Sequence, residues 1–131
     1  MLIGKKHFLT VGAMALAMAI AAPVSAQQKS VAVTAIVEHP ALDAVRDGVQ
    51  DALKAAGYEP GKNLKWQYQS AQGNNGTAAQ IARKFVGDKP DAIVAIATPS
   101  AQAVVAATKD VPVVYSAVTD PVAAQLVSSM D

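Results

Sequence analysis

Apolar residues run almost unbroken through Val31–Val37 (VAVTAIV), where Thr34 is the one polar position. Such a run predicts a strand buried on both faces. From Pro40 the period changes. Leu42, Val45, Val49, Leu53 and Ala56 recur at spacings of three and four, with Asp43, Arg46, Asp47, Asp51 and Lys54 between them. This predicts an amphipathic helix stopped by Gly57. Glu59-Pro60-Gly61 reads as a turn, and Leu64–Gln69 (LKWQYQ) alternates as a strand nearer a sheet edge would.

Ala71–Gly76 is a loop, after which Ala78, Ile81, Ala82 and Phe85 mark a second helix ending around Gly87 and Pro90. Asp91–Ala97 predicts a third buried strand, Pro99–Thr108 a third helix with Ala101, Val104, Val105 and Thr108 on one side, and Val111–Tyr115 a fourth strand. Pro121 opens an expected fourth helix. Strands alternating with helices predict an α/β fold, a three-layer parallel sheet with its helices on both faces. Right-handed crossovers then bring every strand's carboxyl end to one edge. No linker interrupts residues 27–131, which read as one lobe.

Residues 1–26 have a different character. Lys5, Lys6 and His7 form a basic start, Phe8–Ala22 is an apolar run of about 15 residues, and Val24-Ser25-Ala26 follows Pro23. This is the layout of a secretory signal peptide, with cleavage expected between Ala26 and Gln27. The run is shorter than the ~20 residues a membrane-crossing helix needs, which favours a cleaved leader over an anchor. With no further span of 18 apolar residues, the mature chain is expected not to span a membrane. Cleavage removes Lys5 and Lys6 and turns a formal charge of +1 into −1. That balance gives no electrostatic footprint for nucleic acid. Zero cysteines exclude a disulfide framework, a thiolate nucleophile and a Cys-based zinc site.

His39-Pro40, Thr98-Pro99 and Asp120-Pro121 each stand between a strand and the following helical pattern. Proline suits a first helical residue, and Thr98 and Asp120 are favoured N-caps, whereas His39 is not. All three exits, with the Gln69–Asn75 loop, fall on the carboxyl edge, where open α/β sheets bind ligands. The third helix is expected to offer the free N–H groups of Ser100 and Ala101 to an anion such as a carboxylate. Asp120 is placed to receive an ammonium group, and Thr98, Ser100, Ser116 and Thr119 add hydroxyls. That combination suits a zwitterion such as an amino acid.

Enzymatic chemistry is poorly supplied. Beyond residue 26 the single histidine is His39, no G-x-S-x-G elbow surrounds any serine, and no metal-binding spacing occurs. Gly57–Lys62 (GYEPGK) falls one residue short of a phosphate loop, lacks its Ser/Thr and precedes a strand. Neither catalytic residues nor a cofactor or metal are expected. Trp66 and Tyr68 face one side of their strand and are read as packing under a helix, with ligand stacking the alternative. Tyr115 is read as core, with the cleft the alternative. The rival functions are a small exported α/β enzyme of hydrolase type and the ligand-sensing lobe of a receptor.

Ile36–Asp43 (IVEHPALD), Ala71-Gln72-Gly73, Lys89-Pro90-Asp91, Ala97–Gln102 (ATPSAQ) and Ala117–Pro121 (AVTDP) carry a specific resemblance. In that order and spacing they resemble the periplasmic substrate-binding proteins of ABC transporters, in the family that includes tryptophan- and tyrosine-type receptors. The resemblance implies a type I, two-lobed receptor that closes on a small ligand and delivers it to a membrane permease driven by a separate ATPase. It places ligand contacts of the first lobe near Glu38, Gln72, Thr98, Ser100, Ala101 and Asp120. Such receptors carry a second lobe of similar size, so residues 27–131 are expected to be an N-terminal fragment.

Overall fold

The computed structural model describes residues 27–130. The expected leader, residues 1–26, lies outside the described residues. Seven elements follow one another: β1 (Lys29–Ala35), α1 (Pro40–Ala55), β2 (Leu64–Ser70), α2 (Asn75–Gly87), β3 (Ala92–Ile96), α3 (Thr98–Ala107) and β4 (Val113–Ser116). The strands form one parallel sheet in the order β2-β1-β3-β4. The α/β architecture read from the alternating pattern is therefore the one observed.

Alternation along the central strands builds two cores. Ala32 of β1 with Ile93 and Ala95 of β3 meet Ala78, Ile81, Ala82 and Phe85 of α2 and Ala101 and Val104 of α3. On the other face, Val31, Val33 and Ala35 with Val94 and Ile96 meet Leu42, Val45, Val49 and Leu53 of α1, and Trp66 and Tyr68 join them. Two helices thus cover one face and one helix the other. No residue of α1 is fully buried. A single helix leaves part of its face open, and an apolar slot of about 340 Å³ remains between Val49, Ala52 and Leu53 of α1 and Val94 and Val114 of the sheet.

Local chemistry fixes where the elements begin and end. His39, not expected as a cap, caps α1: its Nδ1 accepts the Ala41 N–H at 3.2 Å. At the other end Gly57 stands at φ +91, while Gly57 N–H donates to Lys54 and Tyr58 N–H to Leu53, each at 2.9 Å. That is a Schellman closure, one residue beyond the last helical turn. Asn74 caps α2 by accepting the Thr77 N–H at 2.9 Å.

Two expectations are corrected. β1 starts and stops two residues earlier than Val31–Val37, because pairing with β2 runs from Lys29–Leu64 to Ala35–Ser70. The Ile36 carbonyl instead accepts from Gly73 N–H at 2.6 Å. Among the described residues no fourth helix forms after Pro121. Ala124 N–H reaches Asp120, and Gln125 N–H then bonds Val122 three residues back, with Gln125 itself at φ +59. A left-handed residue ends a right-handed turn, so the segment stays a turn.

Candidate functional site at the carboxyl edge of the sheet

Parallel pairing places four strand exits side by side, in the sheet's own order. Gln72 follows β2, Glu38 follows β1, Ala97 and Thr98 follow β3, and Asp120 lies beyond β4. Neighbouring strands are about 4.8 Å apart, so Glu38 and Asp120 leave from the strands flanking the start of α3. The β1 and β3 exits feed helices on opposite faces of the sheet, which is the topological switch point where α/β sheets bind ligands. Main-chain bonds tie the exits in pairs: Ala71 N–H to Ala35 at 2.9 Å, and Ala97 N–H to Ser116 at 2.9 Å.

The start of α3 differs from the expected one. Thr98 is the first helical residue, and the cap is Ala97, at φ +76 and ψ 156 with no side-chain cap bond. Ala101 N–H is not free: it donates to the Ala97 carbonyl at 3.1 Å. Pro99 has no N–H, so among the described residues the unpartnered main-chain donors of this turn are Thr98 and Ser100. Ala101 is fully buried and serves as an anchor of the helix.

Ser100 is also fully buried, and its Oγ has no partner among the described residues. Thr34, on β1, is the same: 1% exposed with an unpartnered Oγ1. A buried hydroxyl without a partner costs about 1–3 kcal/mol. The Thr34 signal was visible as the lone polar position of an apolar strand, though nothing in its spacing marked it as functional.

Asp120 is exposed, and its Oδ1 accepts the Val122 and Ala123 N–H groups at 3.1 and 2.9 Å. It caps the turn as its residue type predicts, and Oδ2 remains available to a cation. Glu38 is exposed on the other flank. Its carboxylate lies close enough to help raise the pKa of the Tyr68 hydroxyl, which burial pushes up first and the Arg46 guanidinium partly restores. Arg46 sits 4.9 Å from the Tyr68 ring centroid and bonds Asp47 at 2.8 Å. Gln72 is exposed at φ +53, held by its N–H to Ser70 Oγ at 3.2 Å.

A larger cavity, about 570 Å³, lies elsewhere, between Gln69 and Ser70 of β2 and Thr77, Gln80, Ile81 and Lys84 of α2. It is an open groove whose lining carries one cation, two amides and two hydroxyls but no carboxylate. A smaller hollow, about 360 Å³, lies between the starts of α2 and α3 by Asn75, Ala79, Pro99, Gln102 and Ala103. The carboxyl edge itself carries the Thr98 N–H on a strand exit flanked by those of the Glu38 and Asp120 carboxylates. Chemistry, not size, makes the edge the candidate site. Among the described residues no cluster of His, Asp and Glu is placed to hold a metal, and no helix is long and apolar enough to cross a membrane.

Residues 30–131 match the family described as ABC transporter substrate binding protein. The chain belongs to that family. It is 50% identical over 107 residues to a tyrosine-binding protein of Clostridioides difficile, covering 82% of this chain and 31% of that one. Among solved structures, a conserved domain protein of Vibrio cholerae superposes with a TM-score of 0.79 at 60% identity, over 80% of this chain and 36% of that one. An ABC domain of Streptococcus pneumoniae in complex with L-Trp superposes at 0.75 with 36% identity, over 79% and 35%. The chain thus spans about a third of the length of these relatives.

Proposed function

We propose that residues 27–131 form the N-terminal lobe of an exported, non-enzymatic receptor that binds an amino acid at the carboxyl edge and presents it to an ABC permease with a separate ATPase. The observation that carries this reading is the unpartnered N–H of Thr98, half-buried at the start of α3, on a strand exit flanked by those of the Glu38 and Asp120 carboxylates; the second unpartnered N–H, on buried Ser100, lies behind it. An α-carboxylate docks on the helix N-terminus, favoured by the donors and by the dipole behind them. Its ammonium group, two bonds from the carboxylate carbon, then faces a carboxylate on a neighbouring strand exit. Gln72 supplies an amide at the far end of the edge. The tyrosine-binding and L-Trp-bound relatives support an aromatic amino acid as ligand.

Two substitutions separate binding from capping. Asp120→Asn keeps an Oδ1 to accept from Val122 and Ala123 but removes the charge; Ser100→Pro removes one donor from the third residue of α3. Charge-assisted hydrogen bonds contribute roughly 1.5–3 kcal/mol, so each variant of the two-lobed receptor should lose about tenfold or more in affinity for L-tyrosine or L-tryptophan. Calorimetry showing unchanged affinity in both would return these residues to helix and turn capping.

Export follows from the basic start, apolar run and Val24-Ser25-Ala26 of the leader. Cleavage between Ala26 and Gln27 should give a periplasmic product that begins at Gln27. Intact-mass measurement of the periplasmic fraction checks this; a membrane-embedded product retaining residues 1–26 contradicts it.

A further inference from the structure

We infer that Ala97 is a positioning residue of the binding edge: its backbone, held in a glycine-like conformation by its surroundings, fixes the direction in which α3 presents the Thr98 N–H. The inference rests on the reading of that edge as the ligand site. Ala97 stands at φ +76 and ψ 156, a region that is essentially glycine's alone. A Cβ there crowds the neighbouring peptide groups, and such a conformation persists only where the surroundings enforce it.

Here they do. The residue before it, Ile96, is fully buried, and so are Ser100 and Ala101 after it. Ala97 therefore has to turn the chain from strand to helix in one residue, between two buried anchors. Both its main-chain groups are committed: N–H to Ser116 at 2.9 Å, and the carbonyl to Ala101 N–H at 3.1 Å. The residue after Ser116, Ala117, is also left-handed, at φ +54. The β3 and β4 exits are thus two strained turns joined by one hydrogen bond.

Glycine fits this conformation without strain but also samples many others. Alanine excludes most of those others, so once forced into place it leaves the first turn of α3 little freedom. The enforced conformation keeps the Thr98 donor in place at the end of β3 before any ligand arrives.

Ala97→Gly in the ligand-free chain tests this with two readings. The midpoint of thermal unfolding should rise by about 4 °C as strain is released. At the same time the backbone order parameters of the Thr98 and Ser100 amides should fall from about 0.85, the rigid value, toward 0.6. A residue with a purely structural role would not move the two in opposite directions. A midpoint that stays or falls, or order parameters that do not change, overturns the inference. Titration of the parent chain with L-tyrosine and L-tryptophan is a separate arm. Absence of binding there removes the proposed function, while the two ligand-free readings still decide what Ala97 does.

Discussion

Phe85→Ala should remove most of the chain's folding stability at room temperature. Phe85 is fully buried on α2, in the core shared with Ala32, Ile93, Ala95, Ala101 and Val104. Its neighbours are mostly alanine and valine, small side chains that reach little of the space a phenyl ring vacates. Truncations of this kind cost about 3–5 kcal/mol. A domain of roughly 100 residues has about 5–15 kcal/mol in total, and this lobe belongs at the low end, since α1 covers its face alone and buries no residue fully. Urea unfolding followed by circular dichroism reads the loss directly. A midpoint within experimental error of the parent's would mean that Phe85 does not hold α2 on the sheet.

Residues 27–131 by themselves should bind L-tyrosine or L-tryptophan about a thousandfold more weakly than a two-lobed receptor. A ligand on the carboxyl edge keeps one side open to water, where hydrogen bonds and ion pairs to Thr98, Ser100 and Asp120 exchange with solvent and gain little. Closure by a second lobe removes that water and adds its own contacts. A receptor of micromolar affinity, about −8 kcal/mol, then becomes a millimolar binder, about −4 kcal/mol. The open slot beside Val114, which is 55% exposed, should also draw copies together at high concentration. Calorimetry with light scattering measures both. Micromolar affinity in a monodisperse monomer would show that one lobe is a sufficient receptor.

Elements whose apolar face is broad were legible in the sequence. The Ala78, Ile81, Ala82 and Phe85 face of α2 is the buried one, and the continuous run of β3 is buried on both sides. The edge position of β2 was legible too, because its alternating LKWQYQ pattern needs only partial cover. Strand ends were less so: Ile36 and Val37 are apolar enough to extend β1, yet the Gly73 N–H takes the Ile36 carbonyl and turns the chain away. Pro121 with Asp120 before it looks like a helix start and is capped like one, but Gln125 adopts a left-handed backbone that no local propensity foretells.

At the site, the chain order of Glu38, Gln72, Thr98, Ser100 and Asp120 was enough to place them on one edge, since parallel strands with right-handed crossovers leave no other arrangement. Which N–H groups stay free was not legible. That depends on Ala97, a residue whose type gives no hint of φ +76, and the shift of the cap by one residue engages Ala101 and leaves Thr98 and Ser100. The His39 cap was missed for a related reason: imidazole is an uncommon cap and acts here only through its Nδ1 lone pair.

The most direct test of the carboxyl edge as an amino-acid site is amide chemical-shift mapping of ¹⁵N-labelled residues 27–131 during titration with L-tyrosine and L-tryptophan. The amides of Glu38, Gln72, Thr98 and Ser100 should shift together and saturate with one millimolar constant. Shifts confined to Gln69, Gln80 and Lys84 in the groove between β2 and α2, or none up to the solubility limit of either amino acid, would contradict it.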